Sequence, residues 1–236
     1  MNGFNAIAID GPSGAGKSSL AKRLAAAFGF IYVDTGAIYR TVGLAAQRKE
    51  IDPKNEDDVK AILPELHISM SYNESGEQCM LLNGEDVSKL IRMPEISLYA
   101  SDVSAHASVR SFLLEMQRKF ARENNVIMDG RDIGTVVLPE AELKIYLTAD
   151  VEIRAQRRFL ELQQKGVETA FEDVLEDMKL RDEQDMNRAV APLKKAEDAV
   201  VVDSSHIDFE ETFQVLCEVV IKELALEQEA LYIERN

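Results

Sequence analysis

A chain of 236 residues, 46% of them hydrophobic, has enough apolar material for one large α/β domain or a domain with a small insert. Its net charge of −15 argues against a general nucleic-acid or polyanion binder, so any anionic substrate has to be captured by local basic residues. The two cysteines, Cys79 and Cys217, share no ligand-type spacing, which excludes a disulfide framework and a zinc site. No run approaches about 18 apolar residues, and Met1 to Asn5 lacks a basic region followed by an apolar stretch. The expectation is a cytoplasmic soluble protein that engages neither membrane nor nucleic acid.

In chain order, Ala6 to Asp10 is a short apolar run ending in a carboxylate and predicts a buried first strand. Gly11-Pro12-Ser13-Gly14-Ala15-Gly16-Lys17-Ser18 fits G-x-x-x-x-G-K-S/T, the phosphate-cradling P-loop, and Ser18 to Phe28 has helical spacing behind it. The glycines let backbone N–H groups turn inward, and the new helix N-terminus adds partial positive charge. Gly11 through Ser19 are therefore the candidate nucleoside triphosphate-binding residues, with Lys17 on the β/γ-phosphates and the Ser18 hydroxyl on Mg²⁺.

Phe30 to Val33 predicts a second strand ending at Asp34-Thr35-Gly36, followed by a helix over Ala37 to Glu50. A short acidic helix (Asn55 to Leu63) precedes an alternating run (Leu66 to Tyr72), the turn Asn73 to Gly76, the strand Cys79 to Leu82 and an Asn83-Gly84 hairpin turn. Residues of about 64–92 thus read as a small antiparallel sheet inserted in an alternating β/α chain. Helical patterns run from Pro94 to Ala121. Asn125 to Asp129, Leu143 to Leu147 and Ala199 to Asp203 are further core strands, with helices over 150–165, 170–186 and 208–226. The acidic end, Glu227 to Asn236, is expected to fray. Five short apolar strands alternating with helices predict an α/β fold: a five-stranded parallel sheet covered on both faces. Ligands collect at the carboxyl ends of such strands, where the P-loop, Asp34 and Asp129 all fall.

Asp129 closes its strand in the manner of a Walker B carboxylate and joins Ser18 as a candidate Mg²⁺ residue. Arginines concentrate near the strand ends: Arg40, Arg110, Arg131, the helical trio Arg154, Arg157 and Arg158, then Arg181 and Arg188. The guanidinium fork pairs with phosphate oxygens and keeps its charge, so two phosphorylated ligands would need several such forks. His67, His106 and His206 are scattered, and no nucleophile or general base stands out. That absence suits an acceptor that is itself a phosphate, already mostly dianionic at neutral pH, for which positioning and charge neutralisation suffice.

From Ile7 to about Ser204 the chain resembles the bacterial cytidylate kinases of the nucleoside monophosphate kinase superfamily. The likeness rests on Ile9 to Lys17, Asp34 to Arg40, Leu82 to Val87, Val109-Arg110, Asp129-Gly130-Arg131-Asp132-Ile133-Gly134-Thr135-Val136-Val137, Arg181-Asp182 through Asp185, and Asn187-Arg188-Ala189. The resemblance implies the reaction ATP + (d)CMP → ADP + (d)CDP with Mg²⁺. It also implies one kinase domain over 1–236, with a core of about 1–50 and 94–226, an acceptor-binding insert and a lid over about 154–188. Thr35, Ser101, Arg110 and Asp132 would contact the acceptor nucleoside, Arg40, Arg131 and Arg188 its phosphate, and Arg181 and Asp185 the ribose. Lys17, Arg131, Arg157, Arg158 and Arg188 would act on the transferring phosphoryl group. Cytosine donates from N4 and accepts at N3 and O2, so a carboxylate plus a guanidinium complements it; uracil would set an acceptor against Asp132.

Two departures are visible. Thr35 stands where some members have Ser, and Ala105 to Ser108 lacks the proline often found before Val-Arg. The rivals are a P-loop kinase for another acceptor (AMP, UMP or shikimate) and a nucleotide-sensing switch, although no Asn-Lys-x-Asp guanine motif occurs. A monomer acting on small molecules is the expectation.

Overall fold

The computed structural model describes residues 4–225; the expected fraying of Glu227 to Asn236 lies outside them. Five strands form one sheet: β1 (Ala6–Asp10), β2 (Ile31–Asp34), β6 (Val126–Gly130), β7 (Leu143–Thr148) and β8 (Val200–Asp203), in the order β2-β6-β1-β7-β8. β1 runs parallel to both neighbours, with Asp10 opposite Gly130 on one side and Tyr146 on the other. A separate antiparallel sheet holds β3 (Ile68–Tyr72), β4 (Gln78–Leu82) and β5 (Glu85–Asp86). The predicted α/β architecture and antiparallel insert are both present. The chain divides into two compact units, residues up to 32 with those from 121 onward, and residues 33–120.

In the first unit, β1 is buried at every position. Its Ile7 and Ile9 pack with Leu20 and Leu24 of α1 (Lys17–Phe28) and with Leu216 and Val220 of α8 (Phe209–Glu223). Gly29, left-handed at φ 69°, ends α1, and an Asp208–Glu211 capping box starts α8. α6 (Val151–Gln164) and α7 (Phe171–Asn187) pack through Ala155, Val174 and Met178.

In the second unit, α2 (Thr35–Arg48) starts two residues earlier than its apolar spacing predicts. The Asp34 carboxylate accepts from Ala37 N at 2.8 Å, so Thr35 and Gly36 form the first helical turn rather than a loop. α3 (Glu56–Ile62) is capped by Asn55, whose side chain accepts from Asp57 N and Asp58 N. The helical stretch predicted from Pro94 to Ala121 is two helices, α4 (Pro94–Ser104) and α5 (Ala107–Glu123). At the break His106 is buried, its Nε2 2.7 Å from Pro53 O. The β4–β5 turn has both Asn83 (φ 52°) and Gly84 (φ 86°) in the left-handed region, as an Asn-Gly hairpin requires. Among the described residues no helix is long and apolar enough to cross a membrane.

Candidate active site

The loop between β1 and α1 can approach the sheet only because residue 11 is glycine. A Cβ there would lie 1.9 Å from Leu147 O. Gly16 (φ 89°) occupies the N-cap position of α1 without a side chain to bond the helix, and no acidic residue sits in the first turn. The leading N–H groups of α1 are thus left to an external anion. Lys17 follows, buried, its Nζ donating to Pro12 O at 2.7 Å. Burial, then repulsion from Arg131, pushes the Lys17 ammonium well below its ordinary range despite Asp129, Asp185 and Asp10 nearby. Lys17 and Arg131 are cations that repel each other in the absence of an anion.

Ser18 Oγ donates to Asp129 Oδ2 at 2.8 Å, so the two candidate metal residues meet. Tyr32 OH holds the other carboxylate oxygen at 2.8 Å. This donor set fits Mg²⁺: both are hard oxygens, and among the described residues no group of three or more His, Cys, Asp or Glu forms an all-protein cage. Mg²⁺ is normally held by one or two protein oxygens together with phosphate and water.

Beyond β6 a four-member ionic chain links the loop to the end of α7. Arg131 Nε donates to Asp185 Oδ2 at 2.6 Å, Asp185 Oδ1 lies 3.9 Å from Arg188, and Arg188 Nη2 reaches Asp132 Oδ1 at 3.1 Å. Burial alone would raise the Asp185 carboxyl. Arg131, Arg181 and Arg188 outweigh that and hold it below the ordinary carboxylate range. Arg181, one helical turn before Asp185, is more exposed. The Arg188 and Asp132 side chains are 9% and 5% exposed, so their pair is closed to most water and fixes where Asp132 points.

Asp10 has a carboxyl pushed well above its ordinary range. Burial raises it, backbone N–H bonds from Gly134 and Ile133 lower it, Asp132 raises it and Lys17 lowers it, for a balance of about 6. Sequence reading placed it only as a strand-ending carboxylate.

The helical arginine trio does not share one target. Arg154, buried, donates to Ala149 O at 2.7 Å, to P-loop Ser13 O at 2.9 Å and to Asp182 Oδ2 at 2.6 Å. It braces the P-loop from α6, a role that spacing alone could not assign. Arg157 donates to Ser204 O at 2.6 Å and Ser204 Oγ at 3.1 Å. Arg158, exposed, pairs with Glu161 at 2.8 Å.

In the second unit Thr35 is buried at the start of α2, and Ser101 is half-buried on α4. Arg40 Nη2 pairs with Asp34 at 2.8 Å, while its Nε is buried with no hydrogen-bond partner, an orphan donor suited to an anion. Arg110, buried, donates to Ser104 O at 3.1 Å and stacks 5.4 Å above the Tyr39 ring centroid. His67 and His206 are exposed, and His106 is buried with its Nε2 on Pro53 O.

The cytidylate kinase family model matches residues 7–224. A cytidylate kinase of Caldicellulosiruptor bescii is 50% identical over 216 residues, covering 92% of this chain and 95% of its own. That of Thermosipho melanesiensis is 46% identical over 214 residues, 91% of this chain and 95% of its own. That of Lactobacillus johnsonii is 45% identical over 224 residues, 94% of this chain and 96% of its own. With a P-loop, a Ser18–Asp129 oxygen pair and an arginine–carboxylate chain in place, and a match across nearly all its length, the chain belongs to the cytidylate kinase family.

Proposed function

We propose that this protein transfers the γ-phosphoryl group of Mg²⁺–ATP in line to the phosphate of CMP or dCMP, giving CDP or dCDP. The observation that carries the reading is the buried Asp132–Arg188 pair at 3.1 Å, one residue from Arg131. A carboxylate held by its own guanidinium presents an acceptor to the cytosine N4 amine, and it opposes the O4 of uracil. A polar group left unpaired in such a site costs about 1–3 kcal/mol. Thr35, Ser101 and Arg110 share the nucleoside contacts, and Arg181 and Asp185 take the ribose.

The P-loop backbone from Gly11 to Ser19 wraps the ATP phosphates, and Lys17 neutralises charge that grows during transfer. Arg40, Arg131 and Arg188 hold the acceptor phosphate. The acceptor needs no side-chain base because it is already ionised. Ser18 and Asp129 would hold Mg²⁺, which when bound screens the phosphate oxygens against each other. Arg157 and Arg158 are assigned to the transferring group, and each has to leave its partner, Ser204 or Glu161, to reach it. The domain reading is a core of about 1–50 and 94–226, an acceptor insert over about 64–92 and a lid over about 154–188. The protein works as a cytoplasmic monomer on small molecules, with no nucleic-acid or membrane partner.

The test is an ADP-release assay with Mg²⁺–ATP across CMP, dCMP, UMP, AMP and shikimate. CMP and dCMP should lead on kcat/KM. Equal turnover of UMP and CMP would remove the cytosine assignment.

A further inference from the structure

The turn that follows Asp132 is capped from the wrong place. Residues Ile133–Val137 form a single wide helical turn, closed by Val137 N to Asp132 O at 3.2 Å and Leu138 N to Ile133 O at 2.7 Å. The first N–H groups of any helical turn need acceptors, and an aspartate at the N-cap ordinarily supplies one from its own side chain. Asp132 occupies that N-cap position, yet its side chain makes no capping bond. Asp10 does the work instead: its Oδ1 accepts from Ile133 N at 2.8 Å and its Oδ2 from Gly134 N at 2.7 Å.

We propose that Asp10 is a positioning residue for acceptor recognition: by capping the 133–137 turn from β1, it keeps the Asp132 carboxylate turned toward Arg188 and the acceptor base. This rests on the reading of the site as a CMP kinase. Each carboxylate oxygen of Asp10 takes one N–H, so the cap is complete and the turn asks nothing further of Asp132. The parallel ladder sets Asp10 opposite Gly130, two residues before Asp132, so the capping group and the capped loop are held by one sheet. Were Asp132 to cap its own turn, its carboxylate would fold back onto the backbone and leave Arg188. Asp10 touches neither nucleotide in this scheme, and its effect on acceptor choice passes through Asp132.

The decisive variant is Asp10→Asn, assayed as the full chain at pH 8 for kcat, KM for CMP, KM for ATP, and the CMP-over-UMP ratio of kcat/KM. Asparagine keeps the size but offers one acceptor oxygen and turns an amide donor toward the second N–H. We expect KM for CMP to rise at least about tenfold and the CMP-over-UMP ratio to fall by a similar factor, with KM for ATP within about twofold of wild type. A general loss of structure would not separate the two substrates in this way. Equal rises in both KM values would make Asp10 a P-loop support, and unchanged constants would leave it no role; either result overturns the proposal. If Asp10→Asn does not fold, Asp10→Ser gives the same reading. It leaves one hydroxyl oxygen in place of the two carboxylate oxygens that accept from Ile133 N and Gly134 N, and it has to show the same split between CMP and ATP. Wild-type protein with no preference for CMP over UMP would refute the kinase reading itself, a result distinct from failure of the cap.

Discussion

Burial beside Arg131 makes the Lys17 ammonium costly until a phosphate arrives, and replacing the lysine should separate stability from activity. Its ammonium is 5% exposed, with a hydrogen bond to Pro12 O, and burial and Arg131 together outweigh the carboxylates that favour it. A lysine whose folded pKa lies below its unfolded 10.5 contributes fully to stability only above pH 10.5, and that contribution is lost as pH falls towards the folded value. At pH 8 the cost is present. Lys17→Met removes it and keeps most of the apolar stem, while the Pro12 carbonyl loses its donor at a cost of about 1–3 kcal/mol. Exchanging buried charge for apolar side chains elsewhere has stabilised proteins by about 1–4 kcal/mol. The two nearly cancel, leaving about 0.5 kcal/mol in favour of the variant, a rise in Tm of about 1–2 °C in a chain of this size. Turnover should fall by at least about 100-fold, because a cation aimed at developing phosphoryl charge is gone. Thermal scans at pH 8 with and without ATP, run beside the ADP-release assay, test both halves. A variant that melts more than about 8 °C below wild type, or that still turns over at more than a tenth of its rate, refutes the argument.

Other expectations follow from the same geometry. Arg154→Met strands the Asp182 carboxylate and cuts the brace on Ser13, so denaturant titration should show a loss of about 3–5 kcal/mol, with KM for ATP raised several-fold. Arg154→Lys should not restore it, because one ammonium cannot serve three acceptors spread around a planar fork. Gly43→Ala places a Cβ 2.9 Å from Ala100 N and 3.1 Å from Tyr99 Cβ, forcing α2 and α4 apart at a cost of about 1–3 kcal/mol; an unchanged unfolding midpoint would contradict that packing. The carboxyl of Asp10 is raised from 3.8 to about 6, so its stabilising contribution is complete below about pH 4 and lost as pH rises through 6. Wild type should therefore gain about 2 kcal/mol on Asp10→Asn between pH 7 and pH 4, read from paired denaturant midpoints.

What the sequence made legible depended on how far apart the interacting residues lie. The P-loop is local: eight consecutive residues supply the glycines, the lysine and the hydroxyl, and Gly11 and Gly16 stand where the backbone demands them. The central strands β1, β6 and β7 announce themselves as apolar runs because they are buried along most of their length, and β8 reads as one although only Val202 in it is buried. The break between α4 and α5 gives no such sign, since apolar spacing continues across it and the cause is a bond from His106 to Pro53, 53 residues away.

The arginines divide along the same line. Arg131 and Arg188 flank carboxylates within their own motifs, and those motifs meet as expected. Arg154, Arg157 and Arg158 share a helix face, but a guanidinium on a long stem can end several ångströms from its Cα. Helical spacing therefore specifies a face and says nothing of the endpoint. Each of the three ends on a different element. Asp10 is the extreme case, with partners 123 and 124 residues away that are backbone N–H groups carried by every residue type except proline. A side chain that binds backbone leaves no complementary residue for a motif to record. The cap behind Asp132 could therefore be found only once β1 and β6 were seen side by side.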